Sequence, residues 1–407
     1  MNKSDITLIF PSSPFLLNQV MFPPLGIMYL SAFLKKCGMD VQCLDMALGH
    51  KPEDTKADII GLSFTTPQRD EAFKLAKYYK SMGKTVIAGG PHPTHMPEEC
   101  LENGIDFAIP GYGEVPLFNT IKQIQGENTR MTTGDIHIDA LPFPDRECLP
   151  IFDYFQEIDG KISTPLIASR GCPYGCSFCS KVSPKFSIQS AKRTLEEIEY
   201  LNSTYGFESF SIYDDTIAVD KDRLKIMAES LESNGKGYKF RCFCRADLLN
   251  DIEVCEYLAR MGVLDVGIGI ESGSDYILKK NMKRSTVDIN TLAIKNLQKV
   301  GIRAKAFLIV GLPGENEDTV NETKSWIETV KPDDIALSVF QPLPGSDIFK
   351  SPEKYDIEFK YNGNPMWYRG TPGEYKPSTR TKELSTERII QLRDNLENDY
   401  KRKELLQ

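Results

Sequence analysis

The first third of the chain alternates short apolar runs with amphipathic segments. The runs have the length and continuity of buried parallel strands, and the segments between them repeat apolar residues at helical spacing. The predicted strands are Asp5–Phe10, Met39–Met46, Ala57–Thr65, Lys84–Ala88 and Ile105–Ile109, and the predicted helices include Leu25–Cys37 and Arg69–Met82. This alternation predicts a doubly wound, Rossmann-like parallel α/β domain over residues 1–135.

A second strand–helix alternation follows a polar, proline-rich linker at residues 136–160. Its predicted strands are Leu166–Ser169, Ser209–Tyr213, Tyr238–Cys244, Val263–Ile270, Arg303–Val310 and Ile335–Pro342. Six strand–helix units predict a partial (β/α)6 TIM-type barrel over residues 161–345, whose functional site should lie at the carboxyl ends of the strands. Residues 346–407 are expected to form a short C-terminal extension that ends in a charged amphipathic helix.

Composition narrows the class of protein. The 407 residues are 41% hydrophobic and 26% charged, with a formal net charge of -8, so a broad basic surface for nucleic acid is not expected. No apolar run approaches the ~20 residues that span a bilayer, and the N-terminus lacks the apolar core of a signal peptide. Ten cysteines suit a reducing compartment, so we expect a cytoplasmic protein without a membrane partner.

The strongest chemical signal is a cysteine triplet after the first predicted barrel strand. Cys172, Cys176 and Cys179 have the spacing C-x3-C-x2-C. Clustered thiolates suit zinc or an iron–sulfur cluster, but a structural zinc site wants four ligands and no fourth lies nearby. Three thiolates on a four-iron cluster would leave one iron open. Zinc completed from a distance and incidental buried cysteines are the alternatives.

Polar residues and a glycine follow the next four predicted strands. Because these strand ends meet at one edge of a barrel, the residues are expected to line a polar ligand site, although each carboxylate could instead cap the next helix. They are Asp214 and Asp215 after the second strand, Arg245 after the third, Glu271 and Ser272 after the fourth, and Gly311 after the fifth.

The cysteine spacing and these strand ends together resemble the radical SAM superfamily. The resemblance covers residues 160–345 and implies that the three cysteines hold a [4Fe-4S] cluster whose open iron chelates S-adenosylmethionine (SAM). One electron from the cluster would cleave SAM to a 5'-deoxyadenosyl radical. Phe178 and Gly311 would lie near the adenine, Asp214 and Asp215 near the amino group or ribose. Arg245 would bind the carboxylate, and Glu271 and Ser272 would follow the methionyl and ribosyl part.

Glycine-bearing turns follow the strands of the first domain, where open α/β sheets bind ligands. Together with the opening of the first helix at Pro23-Pro24-Leu25-Gly26, they resemble the cobalamin (B12)-binding domain at the front of many radical SAM proteins. The residues implied in cobalamin binding are Ser63, Thr65, Gly89, Gly90, His92, Gly111 and Glu114. The D-x-H-x-x-G motif that supplies a cobalt ligand in cobalamin mutases and methionine synthase is missing. Cobalamin-dependent radical SAM proteins commonly lack that histidine, so its absence does not exclude the cofactor, although some relatives keep this domain without using cobalamin.

Cys242 and Cys244 alternate on one face of the third predicted barrel strand. They could face the barrel interior and donate a hydrogen atom or bind substrate. Small apolar packing residues are the favoured interpretation.

These observations favour an enzyme over a scaffold protein, because the cluster motif and the strand-end positions are intact. The leading hypothesis is a cobalamin-dependent radical SAM methyltransferase acting on an unactivated centre of a small molecule or peptide. The alternatives are a radical SAM cyclase or rearrangement enzyme, with or without cobalamin, and an enzyme similar to transfer-RNA methylthiotransferases. An external electron donor such as flavodoxin or ferredoxin is expected. The substrate and the oligomeric state are not predicted.

Overall fold

The computed structural model describes residues 4–132, 136–360, 376 and 378–404. The chain forms two compact units. Unit 1 is the described part of Met1–Gln156 together with Ser180–Ser187, and unit 2 is Glu157–Cys179 together with the described part of Ile188–Gln407.

Unit 1 is built on one five-stranded parallel sheet. The strands are β1 (Ile6–Phe10), β2 (Val41–Asp45), β3 (Ile59–Ser63), β4 (Thr85–Gly89) and β5 (Phe107–Ala108). The helices are α1 (Leu25–Lys36), α2 (Arg69–Ser81), α3 (Pro91–His95), α4 (Pro97–Glu102) and α5 (Glu114–Ile124). All five predicted strands are present, but the fifth pairs over two residues only, through Ile87↔Phe107 and Ala88↔Ala108.

The core of unit 1 lies on both faces of this sheet. One apolar layer packs strand residues such as Leu8 against α1 and α5, and the other packs residues such as Ile60 against α2. The strand order β2-β1-β3-β4-β5 reverses its direction of winding between β1 and β3. In doubly wound sheets ligands bind beyond the carboxyl ends of the strands at such a reversal.

Unit 2 is built on a seven-stranded sheet. Its strands are β6 (Glu157–Ile158), β7 (Lys161–Leu166), β10 (Ser209–Ile212), β11 (Lys239–Arg245), β12 (Val263–Glu271), β13 (Arg303–Val310) and β14 (Asp334–Val339). Their order in the sheet is β14-β13-β12-β11-β10-β7-β6. The two-residue strands β8 (Ser169–Arg170) and β9 (Ser187–Ile188) lie between β7 and β10 in the chain. Six strands are parallel and only the edge strand β6 runs antiparallel to its neighbour, which confirms the predicted partial barrel.

Eight helices follow in the described part of unit 2. They are α6 (Ala191–Tyr205), α7 (Lys221–Ser233), α8 (Ile252–Met261), α9 (Asp275–Lys280), α10 (Val287–Lys299), α11 (Glu317–Val330), α12 (Asp347–Lys350) and α13 (Thr386–Glu404). A short hairpin pairs β15 (Ile357–Phe359) with β16 (Thr379–Thr381). The terminal helix α13 packs against the barrel strands: Ile389 lies at the turn of Gly311, and Arg393 donates to the Leu337 carbonyl at 3.3 Å.

The first barrel strand differs from its prediction. The apolar pattern places it at Leu166–Ser169, whereas β7 spans Lys161–Leu166 and pairs with β10 through Ser163↔Ser209 to Leu166↔Ile212. Ser163 is buried and its hydroxyl lies 3.4 Å from that of Ser211. Because neighbouring polar side chains satisfy each other inside this sheet, an apolar run does not mark the strand.

Candidate cofactor sites

The cysteine loop of unit 2 is held at its entrance by Asp214. This carboxylate is 1% exposed and accepts hydrogen bonds from the backbone N–H groups of Ala168 (2.7 Å) and Ser169 (2.9 Å). Burial raises the pKa of Asp214 to about 6 against the opposing charge of Arg223. Asp214 thus supports the chain just before the first cysteine, and its contact with SAM stays a prediction.

A second set of contacts holds the middle of the loop. Ser177 donates through its backbone N–H (3.2 Å) and its hydroxyl (3.1 Å) to the carbonyl of Asn281, after α9. The Ser177 carbonyl in turn accepts from the N–H of Ile348 at 3.1 Å. The Asn281 side chain donates to the Pro313 carbonyl at 3.0 Å, beyond the end of β13. Neither Ser177 nor Asn281 stood out in the sequence, because backbone contacts leave no residue pattern.

The three cysteines differ in exposure, with Cys172 and Cys176 half-buried and Cys179 exposed. A hydrogen bond from the Cys179 thiol lowers the pKa of Cys176 to about 6, and Lys283 and Arg245 act in the same direction against burial. The same bond raises the pKa of Cys179. Over the described residues, no three His, Cys, Asp or Glu side chains are close enough to ligate a single ion. Soft thiolates beside cations fit a multi-iron cluster, whose ligands stand on separate corners.

Arg245 at the end of β11 makes four contacts with its guanidinium. It is 5% exposed; Nε donates to Asp247 Oδ1 and Nη2 to the Lys283 carbonyl, both at 2.8 Å. Nη1 lies 3.5 Å from Cys176 Sγ, and Cζ lies 3.8 Å from the ring centroid of Tyr174. The side chain predicted to bind a SAM carboxylate is therefore engaged with the cysteine loop itself.

A buried ion pair lies beside the cysteines. Lys283 Nζ is 2.7 Å from Glu271 Oε1, and the two side chains are 6% and 11% exposed. Glu271 has a φ of +68° at the point where the register of β12 and β13 shifts. Met282 and Arg284, on either side of Lys283, have φ values of +55° and +56°. Such conformations cost about 1–3 kcal/mol each in a non-glycine residue, so the surrounding fold holds this pair in a set geometry.

The remaining predicted SAM residues divide into accessible and buried groups. Asp215 is exposed, and Phe178 is half-buried against an apolar cluster that includes Leu312. Ser272 is fully buried, accepts from the N–H of Ser274 at 3.2 Å and lies 3.3 Å from the Thr323 hydroxyl. Gly311 has a φ of +96°, and its N–H donates to the buried carboxyl of Glu315.

The carboxyl edge of the unit 1 sheet is made mainly of backbone. Ser63 ends β3, and its Oγ lies 3.8 Å from the position that a Cβ on Gly26 would take. Gly90 has a φ of +100°, and a Cβ there would stand 2.8 Å from the Phe64 carbonyl oxygen. A Cβ on Gly89 would meet no heavy atom within 4 Å in the described part of the chain. This edge is closely packed on one side and open at Gly89, which suits a large ligand that approaches the backbone.

Threonine side chains join the turns of this edge. Thr65 lies after β3 and donates to Gln68 at 2.9 Å. Thr94 donates to the Gly90 carbonyl at 2.7 Å and accepts from the N–H of Gly111 at 3.1 Å. Glu114, at the start of α5, is buried. Thr94, which the sequence did not single out, thus ties the turn after β4 to the turn after β5.

His92 lies in this region but its ring is fully buried. It packs at centroid distances of 5.5 Å from Phe64 and 6.0 Å from Phe73, with Nδ1 3.2 Å from the Thr66 hydroxyl. Burial and the charge of Arg69 lower the pKa of His92 to about 3. The expected contact with cobalamin would require this side chain to leave its place, so the geometry favours a packing role.

Cys242 and Cys244 on β11 are both buried, at 0% and 3% exposure. Burial raises the pKa of each thiol, so neither is a reactive thiolate near neutral pH. Cys244 lies 3.6 Å from the Thr216 hydroxyl. These positions agree with the favoured interpretation of packing residues.

Two family models match the chain in the order that the two units follow. The model of the radical SAM superfamily matches residues 166–327, and that of the B12-binding domain matches residues 19–119. The chain therefore carries a B12-binding domain followed by a radical SAM domain. These two domains imply a [4Fe-4S] cluster with SAM for unit 2 and cobalamin for unit 1.

Relatives extend over nearly the whole chain. An uncharacterized methyltransferase of Pyrococcus horikoshii is 25% identical over 429 residues, covering 96% of this chain and 91% of its own. The anaerobic magnesium-protoporphyrin IX monomethyl ester cyclase of Rubrivivax gelatinosus is 26% identical over 383 residues, covering 84% and 69%. The radical SAM methyltransferase TsrM of Kitasatospora setae, solved with cobalamin and a [4Fe-4S] cluster, has the same fold. Its TM-score is 0.69 at 14% identity, over 91% of this chain and 84% of that one.

In the parts of the chain that the structure describes, every helix is too short or too polar to cross a membrane.

Proposed function

We propose that this protein is a cobalamin-dependent radical SAM methyltransferase. One observation carries the proposal: Cys176, in a C-x3-C-x2-C loop, faces the side chain of Arg245 at the strand ends of a partial barrel. The near full-length match to a methyltransferase supports it. When bound, the cluster with SAM supplies a 5'-deoxyadenosyl radical and cobalamin supplies a methyl carrier. The domain boundaries 1–135, 136–160, 161–345 and 346–407 remain predictions.

The residues of unit 2 would hold these cofactors in distinct ways. We assign the cluster to Cys172, Cys176 and Cys179. The Glu271–Lys283 pair presents one negative and one positive group, which match the amino and carboxylate groups of SAM. Phe178 and Gly311 would pass along the adenine, and exposed Asp215 can accept from a ribose hydroxyl. Asp214 and Ser272 would hold the backbone around the site through their buried hydrogen bonds.

In unit 1 the proposed cobalamin site uses backbone more than side chains. Three neighbouring strands supply it at their carboxyl ends: Ser63 and Gly89 end β3 and β4, and Thr65, Gly90 and Gly111 follow β3, β4 and β5. Because Gly89 leaves its Cβ position open, a corrin could approach the main chain there. Glu114 and His92 would shape this edge from within the fold.

The face of the unit 2 sheet opposite Cys242 and Cys244 carries aromatic side chains, which supports a small-molecule substrate. Tyr213, Phe243 and Phe307 lie on it with ring centroids 5.8 and 5.9 Å apart. A Cβ on Gly267 would stand 2.5 Å from the ring of Phe307 and 2.7 Å from that of Phe243. Tyr213 is 41% exposed. Accessible aromatic rings of this kind bind flat apolar groups. A cytoplasmic location and an electron donor such as flavodoxin or ferredoxin remain predictions.

The test is the product balance of the anaerobically reconstituted protein with dithionite, hydroxocobalamin and SAM. Methyl transfer to a substrate consumes one SAM as methyl donor and a second as radical source. Without added substrate, bound cobalamin would be the methyl acceptor, so S-adenosylhomocysteine should form up to one equivalent per cobalamin and 5'-deoxyadenosine should form as well. Cys176→Ala should lose the cluster and the 5'-deoxyadenosine, with Cys255→Ala as a control thiol outside the loop. An intact four-iron cluster that yields no 5'-deoxyadenosine would overturn the radical assignment.

A radical cyclase is the second candidate, because the cyclase of Rubrivivax gelatinosus matches 84% of this chain. A cyclase consumes SAM only as radical source. It would form 5'-deoxyadenosine without S-adenosylhomocysteine, also when cobalamin is bound. Failure to bind hydroxocobalamin, read from the visible spectrum after gel filtration, would favour this candidate without cobalamin.

A further inference from the structure

We infer that Arg245 is a positioning residue for the cluster, which holds the cysteine loop and raises the reduction potential of the [4Fe-4S] cluster. The inference rests on the proposed function, because it requires the three cysteines to bind the cluster. It assigns Arg245 a different partner from the SAM carboxylate that the sequence predicts.

The first support is the direction of the guanidinium. Nη1 of Arg245 lies 3.5 Å from Cys176 Sγ, within hydrogen-bonding distance of a sulfur acceptor. Hydrogen bonds to the sulfurs and the local charge set the potential of an iron–sulfur cluster. The reduced cluster carries one more negative charge than the oxidised one. A cation at a ligand sulfur therefore stabilises the reduced form more and raises the potential.

The second support is that the other contacts leave Arg245 one orientation. Asp247 Oδ1 accepts from Nε and the Lys283 carbonyl accepts from Nη2, each at 2.8 Å. The Tyr174 ring covers the flat face of the guanidinium at 3.8 Å. Tyr174 lies within the cysteine loop, between Cys172 and Cys176. One side chain thus ties the loop to the end of β11 and to the turn that carries Lys283.

The third support is the charge balance around this side chain. The Asp247 side chain is 25% exposed and pairs with Nε of Arg245, whereas Nη1 is the atom that faces the sulfur. Its negative charge offsets part of the effect of Arg245 on the cluster. Removing Arg245 and removing the Asp247 charge should therefore shift the potential in opposite directions, which a purely structural role would not do.

The test is a potentiometric titration of the cluster followed by electron paramagnetic resonance, on the full-length, anaerobically reconstituted protein without SAM. Arg245→Met should lower the equilibrium constant for one-electron reduction about tenfold, which corresponds to about 59 mV. Asp247→Asn should raise it about threefold. Arg245→Lys should lie between wild type and Arg245→Met, because it keeps the charge but loses the fork and the stacking on Tyr174.

The matched control is Arg241→Met, which removes the same charge from the same strand. Arg241 pairs with Asp265 at 3.7 Å and lies four residues earlier, about 13 Å along the strand. In Arg241→Met the equilibrium constant for one-electron reduction should stay within twofold of the wild-type value. Iron content, measured on every variant, shows whether the cluster is present.

The outcomes separate this inference from the proposed function. Arg245→Met and Asp247→Asn proteins with four irons and the wild-type potential would overturn the inference. So would an Arg245→Met protein that binds SAM more weakly but keeps that potential, since Arg245 would then serve the SAM carboxylate. If Arg245→Met loses the cluster, Asp247→Asn decides: a raised potential supports the inference and an unchanged one overturns it. Wild-type protein without a cluster would instead refute the proposed function.

Discussion

The two sheets of this protein present carboxyl edges of opposite chemical character. The edge of unit 2 is built from side chains, with the guanidinium of Arg245 and the carboxylate of Glu271 at strand ends and the thiols and Lys283 in the loops that follow. The edge of unit 1 is built from backbone, with Gly89 and Gly90 at its centre, and the His92 side chain near it is buried. Small charged cofactor groups need such side chains, whereas a large corrin needs room beside the main chain.

The largest effect that would test this contrast is the loss of the buried ion pair in unit 2. Lys283→Met leaves the 11% exposed carboxylate of Glu271 without its partner, which costs about 3–5 kcal/mol. Lys236→Met is the matched control, since Lys236 pairs with Glu199 at an exposed site where solvent screens the pair, and it should change stability far less. Anaerobic urea unfolding measures both. Equal effects would show that the pair is not shielded from solvent.

One buried titratable group in each unit, His92 in unit 1 and Glu315 in unit 2, should contribute to stability with opposite pH dependence. His92 has its pKa lowered to about 3, so the folded state stays neutral while the unfolded state takes up a proton below about pH 6.5. Its contribution is present above pH 6.5 and is lost as the pH falls, by about 1.4 kcal/mol per unit. Burial raises the pKa of Glu315 to about 8, so its contribution is present below about pH 4.5 and is lost as the pH rises to 8.

The variants His92→Gln and Glu315→Gln separate the contributions of these two residues to the pH dependence of the free energy of unfolding. His92→Gln should flatten the fall in the free energy of unfolding between pH 6.5 and 5. Glu315→Gln should gain stability relative to wild type between pH 5 and 8. Urea unfolding at each pH gives both slopes. If either variant keeps the wild-type slope of unfolding free energy against pH, other groups are responsible for the pH dependence of stability.

Two adjacent glycines sharpen the picture of the unit 1 edge. Gly90→Ala forces a side chain onto a φ of +100° and to 2.8 Å from the Phe64 carbonyl, which should cost about 1–3 kcal/mol. Gly89→Ala meets open space, so it should change stability by less than about 0.5 kcal/mol while weakening hydroxocobalamin binding severalfold. Urea unfolding and absorbance titration measure the two effects. Unchanged corrin binding in Gly89→Ala would place the cofactor elsewhere.

The last comparison sets Thr94, which joins two turns at the unit 1 edge, against Thr323, which lies in α11 and accepts from the turn after β12. Thr94→Val removes the hydrogen bonds with Gly90 and Gly111, and Thr323→Val removes those with Gly273 (3.0 Å) and Thr319 (3.1 Å). Each variant should lose about 1–2 kcal/mol. Only Thr94→Val should also weaken corrin binding, because only its turns border the proposed site. An equal loss of binding in both variants would point to a general loss of structure.

Several candidate site residues could be predicted from the sequence because residue type and spacing indicate their chemistry. The cysteine triplet, Arg245 and Glu271 all lie at one strand edge of unit 2, as the order of strands and helices required. Lys283 was missed because it lies in a polar turn without periodicity. The direction of the Lys283 side chain depends on left-handed conformations at Met282 and Arg284. Such conformations cannot be predicted from the sequence at non-glycine residues.

Sequence alone determined the two α/β sheets, their order and the thiolate chemistry of the loop, because apolar periodicity and ligand spacing are local properties. Tertiary structure decided which of these polar groups stay accessible and which are held by neighbouring groups of the fold. Asp214, Ser272 and His92 are suitable ligands by type, yet each is buried against neighbours far away in the sequence. Arg245 faces a cysteine for the same reason: its partners are brought together only when the strands pair.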